Sequence, residues 1–482
     1  MLHRRAHRFV NIVISLCLFG FVVIFLKGPS TEQIFSETPS FPSFNVGNLK
    51  DFESELVNDS LQLSQYDHGE IDLTGWAFQP KNTNFTLSGR DIVNSINFLN
   101  ENFNILNVDK FGPVENVKTV IVIQVHNRAT YLRYLIESLR DTKGIEDTLL
   151  IFSHDINTSM NEMIRNISFA RVYQIFYPFN MQIFPHVFPG QDPRDCPEKL
   201  GKEKAVLLKC RNSGYPDKYG NFRVAKLTQI KHHWWWKMNY VFDGIIDRFG
   251  LSDAWVLLLE EDHYVTPDAL HVLNIITERK KRLCEYCEII SLGFYLKTTT
   301  KYGIDIDKLG AHPWYSSKHN MGMALQRDSW QKIKNCSEIS AKCLPQRFRV
   351  IFAKSPRVLH IGDCGVHTHR LNYCFVRSLL LFICLLAISY FRCNAHNAYA
   401  SAKELLSRHK NTLFPTDFSV TDVSRRSLKP SKENGGWGDA RDRELCRINT
   451  HPLRDASNEI VLQDLMTSSV YINNSHRISN GL

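Results

Sequence analysis

Residues 254–267 read Ala-Trp-Val-Leu-Leu-Leu-Glu-Glu-Asp-His-Tyr-Val-Thr-Pro. The stretch from Ala254 to Leu259 carries no charge, the pattern of a strand buried on both faces. Glu260, Glu261 and Asp262 follow at once. A buried strand ending in carboxylates delivers them to the carboxyl edge of a sheet, where open α/β folds bind ligands. Carboxylate oxygens are hard donors suited to Mg²⁺ or Mn²⁺, ions held by few protein ligands together with substrate phosphates. The competing reading is a strand that runs into an acidic, solvated turn.

Working outward, the apolar patterning predicts strands at Val117–Val125, Thr148–Phe152, Ala170–Phe176 and Ile289–Leu292. Helices are predicted over Arg90–Leu106 and Thr130–Asp141, with another between the second and third strands. Alternation of this kind implies a mainly parallel sheet with helices on both faces. Polar residues stand just past the strands: His126-Asn127-Arg128 after the first, Ser153-His154-Asp155 after the second. At such an edge Asp155 suits a ribose or base, although position alone favours a helix N-cap. No Gly-x-Gly-x-x-Gly motif or phosphate loop occurs, which excludes a dinucleotide or P-loop site.

Residues 186–222 read as an irregular segment carrying Cys196 and Cys210, and a long helix then runs from Arg223 to about Arg248. Its adjacent His232 and His233 face different directions and cannot chelate one metal. Core packing is the favoured role of Trp234-Trp235-Trp236. Cys284-Glu-Tyr-Cys287 has zinc-like spacing without a second pair, so a local disulfide fits better. His360 follows the short apolar run Val358-Leu359. An imidazole beside carboxylates suits Mn²⁺; alone, it reads as a surface or core histidine.

The N-terminus sets the compartment. A basic head, residues 1–8, precedes an uncharged run of 18 residues from Phe9 to Leu26. This exceeds the roughly 7–15 residues of a signal-peptide core and just reaches a membrane span. Positive charge before the span orients the N-terminus to the cytoplasm, with a cleaved signal as the competing reading. Residues 27–88 are rich in Ser, Thr, Pro, Asn and acids and read as a luminal stem. Sequons at Asn58, Asn84, Asn157, Asn166, Asn335 and Asn473 agree with a lumen. In an oxidising lumen a disulfide between Cys196 and Cys210 is favoured over two thiols. Of 12 cysteines, Cys17 lies in the span, leaving an odd number outside it. The net charge of +9 points toward nucleic acid, but charges of both signs are mixed along a luminal chain, and that class is set aside.

A set of longer strings resembles one family. They are Gln124-Val-His-Asn-Arg128, Ile151-Phe-Ser-His-Asp155, Asp192-Pro-Arg-Asp-Cys196, Lys231-His-His-Trp-Trp-Trp-Lys237 and Leu259-Glu-Glu-Asp-His-Tyr264, followed by His319-Asn-Met-Gly322, Gly362-Asp-Cys-Gly365 and Asn434-Gly-Gly-Trp-Gly-Asp439. Together they are similar to the N-acetylglucosaminyltransferase II family, continuously over about residues 90–335 and in pieces to Cys446. The resemblance implies a GT-A-type glycosyltransferase fold, α/β with a mainly parallel Rossmann-like sheet, over residues 89–450. A tail, 451–482, would follow. It also implies a single-pass type II Golgi membrane protein. The activity implied is inverting transfer of GlcNAc from UDP-GlcNAc to O2 of the α1,6-arm mannose of N-glycans, with Mn²⁺ as cofactor. Carried over residue by residue, the metal ligands are Asp262 and His360. The donor contacts are Gln124, Val125, His126, Asn127, Arg128, Asp155, Gln229, Ile230, Lys231, His232 and His233. One further donor contact, an Arg in the family pattern, falls near Thr299.

Two departures follow. Relatives carry a segment rich in Asp, Tyr and Trp after the equivalent of Ser337, and it holds their catalytic Asp. Here Cys336-Ser-Glu-Ile-Ser-Ala-Lys-Cys343 passes straight to Leu344, leaving Glu338 as its one acid and the catalytic base unassigned. Cys336 with Cys343 is an expected disulfide, and Cys446 loses its usual partner. The second departure is an apolar insertion over 371–393, whose uncharged run Ser378–Phe391 has 14 residues, too few for a comfortable span. A transferase and a form that binds UDP-GlcNAc or glycan without transfer are both compatible with this sequence.

Overall fold

Val120, Val122 and Ile123 are completely buried and Ile121 nearly so, because strand β1 (Thr119–Val125) is an interior strand of the sheet with helices on both faces. In this computed structural model the described residues are 89–155, 158–184, 186, 188–217, 219–295, 300–339, 347–362, 395–426 and 439–453. The expected anchor, stem and insertion, together with Thr299, Cys343 and the tail from residue 454, lie outside them. Among the described residues no helix is long and apolar enough to cross a membrane.

The remaining strands are β2 (Leu149–His154), β3 (Arg171–Phe176), β4 (Trp255–Glu260), β5 (His263–Val265), β6 (Ile289–Ser291), β7 (Lys308–Pro313), β8 (Met323–Leu325), β9 (Arg349–Ala353), β10 (Val358–His360) and β11 (Ser419–Val423). A nine-stranded sheet runs β11-β7-β9-β6-β8-β4-β1-β2-β3, and β5 pairs with β10 in a separate ribbon. β4, β1, β2 and β3 are mutually parallel. β8 pairs antiparallel with both β4 and β6, so the mainly parallel sheet is mixed on that side.

The helices that matter here are α1 (Gly89–Glu101), α2 (Ala129–Arg140), α3 (Thr158–Arg165), α4 (Lys202–Leu208), α5 (Ala225–Asn239), α6 (Ala269–Glu278) and α7 (Ala440–Thr450). Alternate residues of β1 feed two cores, as strand geometry requires. Ile121 and Ile123 pack with Leu132 and Leu135 of α2 and Leu273 of α6. Val120 and Val122 share the other core with Trp236 of α5 and Ile448 of α7. The three tryptophans are mostly or wholly packed in that core, as expected.

Two expectations need correction. The helix predicted to Leu106 ends at Glu101. Asn100 explains the stop: its side chain donates to Phe176 O (2.9 Å) and accepts from Phe176 N (2.8 Å), pinning the helix end to β3. Phe103 then takes φ 48°, and Leu106 exchanges backbone hydrogen bonds with Val172. Residues 186–222 are also not wholly irregular, because α4 lies inside the loop closed by the Cys196–Cys210 disulfide.

β1 and β4 frame the point where the chain order changes direction, with β2 and β3 leaving on one side and β4 returning on the other. Gln124 stands opposite both Ser153 and Glu260 there. Open α/β sheets bind ligands in the crevice at such a switch point.

Candidate active site at the carboxyl edge of the sheet

Two donor clusters occupy this edge. The first combines His126, Asp155 and His233. Asp155 is buried, and its Oδ2 accepts from Gln229 Nε2 at 3.0 Å and lies 3.7 Å from His126 Nδ1. The helix N-cap favoured by position thus gives way to a carboxylate turned into the edge. His233 is fully buried, lies 2.8 Å from Ser153 Oγ through Nε2 and stacks on Tyr177 at 5.0 Å and 5°. Burial pushes the His233 pKa well below the ordinary value, helped by the fields of His126 and Lys237, so the ring is neutral. Asp155 Oδ1 and His233 Nδ1, 3.7 Å apart, are both buried without a hydrogen-bond partner. Orphaned buried polar atoms are rare and call for a ligand or water.

The second cluster is centred on Asp262. Its Oδ2 lies 3.2 Å from His360 Nε2 and accepts from Arg128 Nη1 at 2.8 Å, while its buried Oδ1 has no partner. Burial opposes ionisation of this carboxyl, but the His360 hydrogen bond and the charges of His263, Arg128 and His360 hold it well below the usual range. His360 is raised in turn: burial works against its charge, and Asp262 more than offsets that. Register makes the pair, because β10 runs antiparallel to β5 with His360 opposite His263, and Ile361 N donates to Asp262 O at 2.9 Å. Gly362 passes so close that a Cβ there would collide with Asp262 Oδ2; only glycine leaves that carboxylate room. Glu260 and His263 lie within the same reach. A carboxylate and an imidazole side by side, one oxygen orphaned, fit a divalent cation.

Glu261 joins the clusters. It is fully buried, and its carboxylate accepts from His126 N at 2.8 Å and Arg128 Nε at 2.6 Å. The loop after β1 is thereby fastened to the end of β4. Burial works against the Arg128 charge, and Asp262 and Glu261 more than restore it.

The structure brings Gln124, His126, Arg128, Asp155, Gln229 and His233 together around this edge. Ile230 contributes a backbone carbonyl, which accepts from Gln124 Nε2 at 3.2 Å. Val125 instead packs in the core and Asn127 is exposed. His232 turns away to Asp442 of α7 at 3.1 Å, so the two histidines do diverge. Lys231 lines a groove of about 370 Å³ with Tyr215, Arg223 and Asp439. Sequence reasoning assigned no part to the Glu261 tether, Ser153 or Tyr177. Three acids in a row gave no sign that the middle one faces inward. The Cys196–Cys210 and Cys284–Cys287 disulfides are both present; Cys336 is disulfide-bonded, and Cys446 is free.

A family model described as N-acetylglucosaminyltransferase II (MGAT2) matches residues 93–446, which span both clusters. The chain belongs to the N-acetylglucosaminyltransferase II family. It is 38% identical over 396 residues to the alpha-1,6-mannosyl-glycoprotein 2-beta-N-acetylglucosaminyltransferase of Sus scrofa, covering 78% of this chain and 82% of that one. The Homo sapiens enzyme of the same name is 37% identical over 390 residues, 77% of this chain and 81% of that one. A solved structure, S. aureus TarS 1-349, aligns with a TM-score of 0.27 and 10% identity over 51% of this chain and 60% of that one, a likeness too weak to carry an argument. Membership of the family makes the protein a glycosyltransferase, and its edge clusters are the parts available for that chemistry.

Proposed function

We propose that this protein transfers GlcNAc from UDP-GlcNAc to O2 of the α1,6-arm mannose of N-glycans, with inversion, on a GT-A fold. The observation that carries the reading is the contact between Asp262 and His360 beside Arg128, at the switch point of the sheet. Asp262 and His360 would hold Mn²⁺, which when bound supplies Lewis-acid stabilisation of a diphosphate. Arg128 adds fixed positive charge where the leaving UDP collects the electron pair of the broken C1–O bond. The uracil ring suits the other cluster. Ser153 Oγ lies 2.8 Å from His233 Nε2; with the hydroxyl as donor the ring proton would sit on Nδ1 and would meet a base carbonyl, while Asp155 Oδ1 would accept the base N3–H. In the transfer itself the mannose hydroxyl oxygen bonds to C1 as the UDP oxygen leaves, and its proton passes to a base.

The reading also places the protein in the Golgi membrane, with residues 9–26 as a type II anchor and the catalytic part in the lumen. The full chain, purified in detergent, should transfer GlcNAc from UDP-GlcNAc with Mn²⁺ to an N-glycan carrying GlcNAc on its α1,3 arm. Asp262→Ala and His360→Ala should each abolish it. UDP binding without transfer would favour the non-catalytic form raised by the missing segment before Leu344; the named relatives favour the enzyme.

A further inference from the structure

Lys237 is the last lysine of the Lys231–Lys237 string and has no part in the scheme above. It is 1% exposed, and its Nζ donates to Gln124 Oε1 at 2.8 Å. Burial brings its pKa down to about 7, and its partner is an amide oxygen rather than a carboxylate. Gln124 Nε2 in turn lies 3.2 Å from His126 Nε2 and 3.2 Å from Ile230 O. A lysine amine can donate whether or not it is charged, and a backbone carbonyl can only accept. Gln124 stands between them, which fixes its amide with the oxygen toward Lys237 and the NH₂ toward His126 and Ile230. A donor facing His126 Nε2 makes that nitrogen an acceptor. The neutral ring must then carry its proton on Nδ1, 3.7 Å from Asp155 Oδ2.

We propose that Lys237 is a positioning residue that sets the tautomer and orientation of His126 through Gln124, and thereby shapes the nucleotide seat around Asp155. The relay spans β1, α5 and β2. It leaves Asp155 Oδ2 shared between Gln229 and the His126 edge, and Asp155 Oδ1 available for the ligand. The inference rests on the reading of this cluster as the seat of the base.

Histidine-selective ¹⁵N labelling of the full chain in detergent, without nucleotide and with His126→Asn to assign the resonance, reads the relay directly. In the unsubstituted protein the proton should be on Nδ1. Lys237→Met should release the amide and bring up an Nε2–H signal, raise the UDP Kd about tenfold, the effect of one displaced hydrogen bond near a charged group, and leave kcat nearly unchanged. Gln124→Glu keeps a partner for Lys237 but offers oxygen on both sides, so His126 should carry its proton on Nε2. That variant serves if Lys237→Met fails to fold. An Nε2–H signal in the unsubstituted protein, or the same Nδ1–H tautomer and UDP affinity in both variants, would overturn the relay. If the tautomers behave as described but the unsubstituted protein does not bind UDP, the relay stands and the assignment of the seat falls.

Discussion

The two clusters at the sheet edge use the same kinds of donors, carboxylate and imidazole, yet their surroundings differ. Around Asp155 the imidazole His233 is sealed against Tyr177 and Trp236, neutral, and tied to Ser153. Around Asp262 the cluster is charged: Arg128 and a raised His360 both lean on one carboxylate. A closed slot with a neutral imidazole walled by a flat ring suits a base; a charged, half-open corner suits a cation and a diphosphate. Donor type alone does not separate a metal site from a base site. Burial and the neighbouring charges do.

Substitutions should separate the two corners in a graded way. Asp262→Ala should have the largest effect, lowering GlcNAc transfer at least about 100-fold, since a Lewis-acid site contributes several kcal/mol; steady-state assays across Mn²⁺ concentrations check this. Glu261→Gln leaves the Arg128 guanidinium short of a buried partner. It should cost about 3–5 kcal/mol of stability, read by denaturant unfolding, and impair both corners together because the tether joins them. Asp155→Asn removes a carboxylate from the histidine-lined corner alone. UDP should then bind weaker by about 1.5–3 kcal/mol, with the benefit from Mn²⁺ intact.

The smallest effect expected is one of pH. Burial brings the folded-state pKa of His154 down to about 3 and that of His319 to about 4, and holds His233 well below the ordinary value. These rings are neutral when folded and take up protons when unfolded below about pH 6.5. Their contribution is therefore present above that value and is lost as pH falls through the window toward 4. Each ring should cost about 1.4 kcal/mol per pH unit there. His154→Gln should flatten the fall in stability between pH 6.5 and 5 by one ring's share, measured by urea titration at each pH.

The parallel half of the fold was legible because its strands are long and buried. The uncharged runs of β1 and β4 cannot face water on either side, and helices of amphipathic spacing separate β1, β2 and β3. The antiparallel side was not, since Met323–Leu325 and Val358–His360 are too short for any period to show. The same limit hid the way His360 reaches Asp262, which depends on β10 pairing with β5. Asp155 illustrates a second limit. A carboxylate after a strand serves equally well as a cap or a ligand, and the choice was made by Gln229, far along the chain. Glu261 was hidden between two other acids until the fold turned it inward. The motif strings located both corners, but only packing shows that Val125 and His232 belong to the scaffold.

The distinction between the corners is tested most directly by titrating UDP into the full chain with and without Mn²⁺, in the unsubstituted protein and in Asp155→Ala and Asp262→Ala. Asp262→Ala should keep the metal-free UDP affinity and lose the gain that Mn²⁺ gives. Asp155→Ala should weaken binding in both conditions and keep the gain. The reverse pattern, with the Mn²⁺ gain lost in Asp155→Ala and kept in Asp262→Ala, would place the metal in the histidine-lined slot and contradict the account.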